Sequence, residues 1–273
     1  IVKDVRKQDF KGPLLLRFPH ITEKQINTLY NTFNASIREY DYKGSFNAVF
    51  PLKVNQLPNF IHPLINCGKI FNYGLEAGSK AELVIAMTYN NIGAPITVNG
   101  FKDKEMIHLC FIAKNMGHNI TIIIEGLNEL EMIIEVLNET KLVCPNIGLR
   151  VRLHSGGSGM WAKSGGINSK FGLTSTEILE AYELMEDNNL VKHLTMIHFH
   201  IGSQIEDVHT FDPLCERINE LQDLFEAKGM KLENINVGGG FGIDIRCISL
   251  ASQCRVSLCL GIGAATIRFA CQA

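Results

Sequence analysis

The sequence predicts an α/β fold, a (β/α)8 TIM-type barrel that is incomplete, with seven of its eight strands recognisable. Short apolar, β-rich runs alternate with amphipathic stretches that carry helix-start signals. The first five runs recur about every 25 residues, the length of one strand-and-helix unit. Polar and glycine-rich motifs fall repeatedly at the ends of the runs. An open, doubly wound sheet of seven strands fits the alternation equally well. The placement of the motifs at strand ends favours the barrel.

In chain order, the segment 13–19 (PLLLRFP) reads as an extra strand or an entry arm, and Thr22 with Gln25 as a capping box opening a leading helix. The seven runs are 46–54 (FNAVFPLKV), 70–76 (IFNYGLE), 95–99 (PITVN), 120–125 (ITIIIE), 147–153 (IGLRVRL), 194–201 (LTMIHFHI) and 232–237 (LENINV). Between them, Ser79 with Glu82 and Thr174 with Glu177 read as capping boxes. Gly117 and Gly229 stand where helices should stop. Residues 1–244 thus form one barrel domain. The last stretch, Ile245 to Ala273, has four cysteines and three arginines but no lysine and no acid. That break in composition, inside a motif, reads as an aberrant or frameshift-like tail, and the start at Ile1 reads as a fragment's. On this reading the first and seventh strands are left with open edges, and the chain as it stands is expected to be poorly folded or inactive.

The 273 residues are 46% hydrophobic and 20% charged, enough for one sizeable core. A net charge of −2 gives no basic field for nucleic acid, so a small molecule is the expected partner. No signal-peptide profile and no apolar run of bilayer length occur, so no membrane association and a cytoplasmic location are expected. Cys67, Cys110, Cys144 and Cys215 are scattered without Cys-x-x-Cys spacing and read as buried thiols.

Four motifs carry chemistry. In Phe50-Pro51-Leu52-Lys53-Val54-Asn55 a lysine lies in an otherwise apolar strand, where desolvation would expose a nucleophilic amine able to form a Schiff base. A lysine snorkelling from a strand end is the alternative. Gly238, Gly239 and Gly240, with Gly242, follow the seventh run, where consecutive glycines turn backbone N–H groups into a concavity that suits a phosphate, or simply make a tight turn. His198-Phe199-His200-Ile201-Gly202-Ser203 ends the sixth run. Alternation puts His198 and His200 on one face, and Ser203 offers a phosphate donor. Glu76 ends the second run where a helix begins, Arg150 and Arg152 alternate on the fifth, and the Gly/Ser-rich stretch from Ser155 to Gly166 has the composition of a lid or of a surface excursion.

Together, these motifs with Gly-Leu-Glu-Ala-Gly-Ser-Lys-Ala-Glu-Leu, Gly-Ser-Gly-Met-Trp-Ala-Lys-Ser-Gly-Gly and Lys-Phe-Gly-Leu resemble the bacterial biosynthetic arginine decarboxylases, in order from about residue 10 to Asp244. The wider group is the alanine-racemase-like barrel that uses pyridoxal 5′-phosphate (PLP). The block at Met160-Trp161 points to the arginine enzymes within it. The resemblance implies that Lys53 carries PLP, that His200 stacks on its ring, and that Ser203 with Gly238, Gly239 and Gly240 holds its phosphate. It further implies that Glu76 and Glu82 are acids near the cofactor and that Arg150, rather than Arg152, lies near the ring. The implied reaction releases CO2 from L-arginine to give agmatine for polyamine and spermidine biosynthesis. Mg2+ is implied by the resemblance alone, and the intact protein is implied to be a homo-oligomer. A related ornithine, lysine or diaminopimelate decarboxylase, a non-catalytic PLP-binding barrel, and a phosphate-binding barrel without PLP remain open alternatives.

Overall fold

The computed structural model describes residues 1–9, 11–13, 15–153, 171–202, 205, 208–229, 232–240 and 264–268. A short helix α1 (Val2–Lys7) precedes α2 (Pro19–Glu39). Proline at the start of α2 fixes the first helical φ and needs no N–H partner, so the helix begins before Thr22 and the expected capping box lies inside it. No strand occurs among the described residues before β1 (Ser45–Pro51).

From β1 the chain alternates strand and helix. The elements are α3 (Pro58–Gly68), β2 (Gly74–Ala77), α4 (Lys80–Tyr89), β3 (Pro95–Val98), α5 (Lys104–Asn115), β4 (Asn119–Ile124), α6 (Leu127–Glu139) and β5 (Asn146–Arg150). They continue through α7 (Ser175–Asp187), β6 (Leu194–His198), α8 (Asp212–Ala227) and β7 (Asn234–Gly238). The second expected run opens as a 3-10 turn over Lys69–Phe71, so only its last residues form the strand. Gly117 and Gly229 adopt positive φ just past α5 and α8, as helix stops require.

Strands β1 to β7 pair in sequence order and all in parallel. The eighth place is filled by β8 (Ala264–Arg268), which closes the barrel by pairing antiparallel with both β7 and β1. The seven parallel strands therefore agree with the sequence reading. The expected open edges do not occur, because five residues of the tail bond to Ser45–Val49 on one side and to β7 on the other.

Strands β1 to β7 are largely buried on both faces, as a barrel wrapped by helices demands, and β4 from its second residue reads Ile-Thr-Ile-Ile-Ile without exposed alternation. At the end where the strands begin, Tyr30 of α2 stacks on Phe71 at 4.3 Å and Phe33 on Phe46 at 3.9 Å. The Tyr30 hydroxyl accepts a hydrogen bond from Ala48 N at 3.1 Å, tying α2 to β1. Burial pushes that hydroxyl's pKa up to about 12. Cys110 and Cys144 are buried free thiols, also pushed up to about 12 by burial, whereas Cys67 is half-buried and Cys215 exposed, contrary to the expectation for all four. A thiol near a helix surface needs no partner, so spacing alone did not separate these cases. Among the described residues no helix is long and apolar enough to cross a membrane.

Candidate active site at the strand ends

The carboxyl ends of β1 to β7 bring the sequence-predicted residues to one mouth. Lys53 is not within its strand. β1 ends at Pro51, Leu52 N donates to Glu76 O at 2.9 Å, and Val54 N donates to Pro51 O, so Lys53 sits in the turn that follows. Its side chain is exposed, and desolvation by an apolar pocket is not what prepares the amine. Its electrostatic neighbours are polar: its charge lowers the pKa of both Glu76 and His200.

Glu76 on β2 is buried, and burial pushes its carboxyl above the ordinary range. Lys53, a hydrogen bond from Asn99 and Arg150 pull it back, while Glu82 adds to the rise. Asn99 Nδ2 donates to Glu76 Oε2 at 2.8 Å from the first position after β3. Glu82 plays a different part. Its Oε2 accepts from Gly78 N at 2.6 Å and its Oε1 from Gln56 at 3.1 Å, while Ser79 Oγ caps the helix by accepting from Glu82 N at 3.3 Å. It pins the turn between β2 and α4.

Arg150 ends β5. Its Nη1 donates to Glu125 Oε1 at 2.9 Å, and its guanidinium lies 5.1 Å from the centre of the Phe171 ring. Arg152 turns elsewhere, donating to Gly172 O at 3.1 Å, so of the two arginines Arg150 is the one at the mouth.

Arg150, His198 and Asn236 are register partners across β5, β6 and β7. Burial, then Arg150 and His200, lower the His198 pKa to about 3. Neither His198 Nδ1 nor Asn236 Nδ2 makes a well-formed hydrogen bond, and the favourable influence of Asn236 on His198 offsets only part of that lowering. β6 ends at His198, so strict alternation does not extend to His200, but the two rings remain electrostatic neighbours. His200 is lowered to about 4 by burial, then by Arg150 and Lys53, with Glu125 opposing. Both imidazoles are neutral at pH 7.

Gly238 has φ +74°, and a Cβ there would lie 2.5 Å from Phe199 O and 3.2 Å from His200 Nδ1. Only glycine lets the end of β7 approach the His200 loop so closely. The Gly238 N–H is already bonded to Asn236 Oδ1 at 2.9 Å, while those of Gly239 and Gly240 make no hydrogen bond to the described residues. Gly240 O accepts from Ile205 N at 2.9 Å, joining this turn to the loop after β6. A glycine turn of this form, whose Gly239 and Gly240 N–H groups have no partner among the described residues, suits a phosphate. Ser203, Gly242, Asp244, Met160, Trp161 and the stretch from Ser155 to Gly166 lie outside the described residues. Among the described residues no group of three or more His, Cys, Asp or Glu side chains is placed to hold a metal.

Asn99 and Glu125 were not singled out from the sequence. The signal was present, because each is the polar last residue of an otherwise apolar run. Lys102 gave no such signal, since a fully buried lysine looks like any other charged residue before a helix.

Residues 24–254 match the family described as pyridoxal-dependent decarboxylase, pyridoxal binding domain. The chain is 39% identical over 245 residues to the biosynthetic arginine decarboxylase of Bacteroides thetaiotaomicron, covering 89% of this chain and 39% of that protein. It is similar to the solved biosynthetic arginine decarboxylase SpeA from Campylobacter jejuni, with 55% identity and a TM-score of 0.81, over 89% of this chain and 39% of that one. Diaminopimelate decarboxylase from M. jannaschi, at 23% identity and a TM-score of 0.67 over 84% of this chain and 52% of that one, shares the fold. The chain spans about two fifths of the length of the curated relatives it matches. A barrel of seven parallel strands and one antiparallel one, with a lysine, a buried acid, an arginine, a neutral histidine and a glycine turn at its strand ends, and a family match over most of its length, give one conclusion: this chain belongs to the pyridoxal-dependent decarboxylases, as their pyridoxal-binding domain.

Proposed function

We propose that the chain is the PLP-holding barrel of an enzyme that decarboxylates L-arginine to agmatine and CO2 in polyamine biosynthesis. The observation that carries this reading is the 55% identity to the Campylobacter arginine decarboxylase over 89% of this chain. Bound PLP would supply the sink for the electron pair left when CO2 departs.

The chain's own residues do the rest. Lys53, reachable at the mouth, provides the amine that an aldehyde meets. Gly239 and Gly240 offer backbone N–H groups to the phosphate, with Gly238 allowing the close approach. Ser203 joins them by family resemblance. His200, neutral above about pH 4, offers a flat uncharged ring to stack against the cofactor. Glu76, pushed up by burial and drawn back by the charge of Lys53, is the acid whose electrostatics support a role beside that amine. Arg150 is held in one direction by Glu125 and supplies a fixed positive charge beside His200.

The substrate, a cytoplasmic location and a homo-oligomeric assembly follow from the same resemblance. The test is the absorbance spectrum of the purified chain with PLP, before and after borohydride, with peptide mapping. A reduced adduct on the Lys53 peptide, absent from Lys53→Ala, is expected. An adduct elsewhere, or none, rejects the reading. Release of CO2 from arginine in preference to ornithine, lysine and diaminopimelate separates this substrate from its neighbours.

A further inference from the structure

Between the loops after β3 and β4 lies an ion pair that the proposed chemistry does not use. Lys102 is fully buried, and its Nζ lies 3.0 Å from Glu129 Oε1 and donates to Gly100 O at 2.5 Å. Glu129 in turn accepts from Glu125 N through Oε2 at 2.8 Å. Gly100 N donates to Glu125 Oε1 at 3.3 Å. Followed round, these bonds form a closed ring. Lys102 grips its own loop by Gly100 and the first turn of α6 by Glu129, and both grips end on Glu125, one at its carboxylate and one at its backbone. The Glu125 oxygen so fixed is the one that accepts from Arg150 Nη1 at 2.9 Å. At Gly100 the backbone has φ +77° and a Cβ would lie 2.9 Å from Gly78 O, so this turn requires glycine.

A buried ion pair is weak support for stability, because two well-packed apolar side chains of similar volume often do as well. What an apolar pair cannot do is hold a carbonyl oxygen and a carboxylate to one point and so fix Glu125 at two places. We propose that Lys102, through Glu129 and Glu125, is the positioning residue that sets the direction of Arg150 at the cofactor mouth. This rests on the reading that the mouth binds PLP.

The experiment is a double-mutant cycle on PLP affinity, followed by absorbance titration, with folding checked by circular dichroism and urea denaturation. Its members are the unaltered chain, Lys102→Met with Glu129→Leu, Arg150→Gln, and all three changes together. The apolar pair is expected to fold and to weaken PLP binding about tenfold, as Arg150→Gln does. The triple variant is then also weaker by about tenfold, where independent sites would give about a hundredfold. The absorbance maximum of bound PLP is expected to move the same way in both parent variants. If the apolar pair does not fold, Lys102→Gln with Glu129 retained takes its place in the cycle. Losses that multiply overturn the inference, as does an Arg150→Gln variant that binds PLP as tightly as the unaltered chain. Failure of the unaltered chain to bind PLP overturns the cofactor reading and this inference with it, whereas binding with multiplicative losses overturns this inference alone.

Discussion

An alanine at position 238 would place its methyl carbon 2.5 Å from Phe199 O in a backbone with φ +74°. Neither the strain nor the clash can relax without moving the β7 turn away from His200, so Gly238→Ala is expected to lower stability by about 1–3 kcal/mol. The urea midpoint measures this, and an unchanged midpoint would show that the turn yields freely. The buried histidines give a pH dependence of definite sign. An unfolded His198 takes up a proton near pH 6.5, whereas the folded one does so only near 3. Between those values the unfolded chain binds more protons, so stability is lost as pH falls through that window. Glu76, raised by burial, contributes the opposite slope above its unfolded pKa. Comparing the unaltered chain with His198→Gln removes that contribution. The variant's stability should fall less steeply between pH 6 and 4, by about 1.4 kcal/mol per pH unit. Parallel curves would mean that the ring is not kept neutral. At this scale the sequence pointed to Lys53, Glu76, Arg150, His200 and Gly238 to Gly240, which the structure places at or just past the carboxyl ends of their strands. It misjudged the setting of Lys53, because an apolar run does not reveal where hydrogen bonding to the next strand stops.

The turns between strands and helices share a device. Glu82, Glu129 and Glu177 each sit three residues past an N-cap and reach back to a backbone N–H, but only Glu177 bonds to the N-cap residue itself, Thr174, at 2.7 Å. Glu82 and Glu129 reach one residue further, to Gly78 and Glu125, and so fix the last positions before the helix rather than the helix start. The capping-box pattern therefore found Thr174 fully and Ser79 in half. It missed Glu129, whose N-cap is a glycine, and it misplaced the start of α2, where proline supplies the signal instead. The Thr174 side chain bonds to Glu177 and to no mouth residue, although Leu173 beside it donates to Arg150 O at 2.7 Å, so Thr174→Ala is expected to cost about 1 kcal/mol of stability while leaving PLP affinity unchanged. Calorimetry beside a PLP titration checks both halves. A parallel loss of affinity would tie α7 to the site.

For the molecule as a whole, the order and parallel sense of seven strands were legible because each of the first six is followed by a helix before the next strand, and only one hand of connection returns such a unit to the sheet. The eighth strand was not legible. Its segment carries none of the motifs that mark the others, and a composition unlike the rest of the chain gives no hint of which edge it meets. Among the barrel's ladders, the one between Ser45–Val49 and Ala264–Arg268 joins the most distant parts of the chain. The parallel ladders each join consecutive units, so the loss of chain entropy on forming them is small and local, while the last ladder must close a loop reaching from residue 45 to residue 268. The barrel thus resembles a zipped collar with a single clasp. Six parallel ladders can assemble in succession as a curled ribbon, and the clasp fastens once the ribbon's two rims have met. Undoing it needs only that one row of bonds to part, so deuterium should enter the amides of residues 45–49 facing β8 before those of β3, β4 or β5. Equal rates across all these strands would mean that the ring opens and closes as one piece.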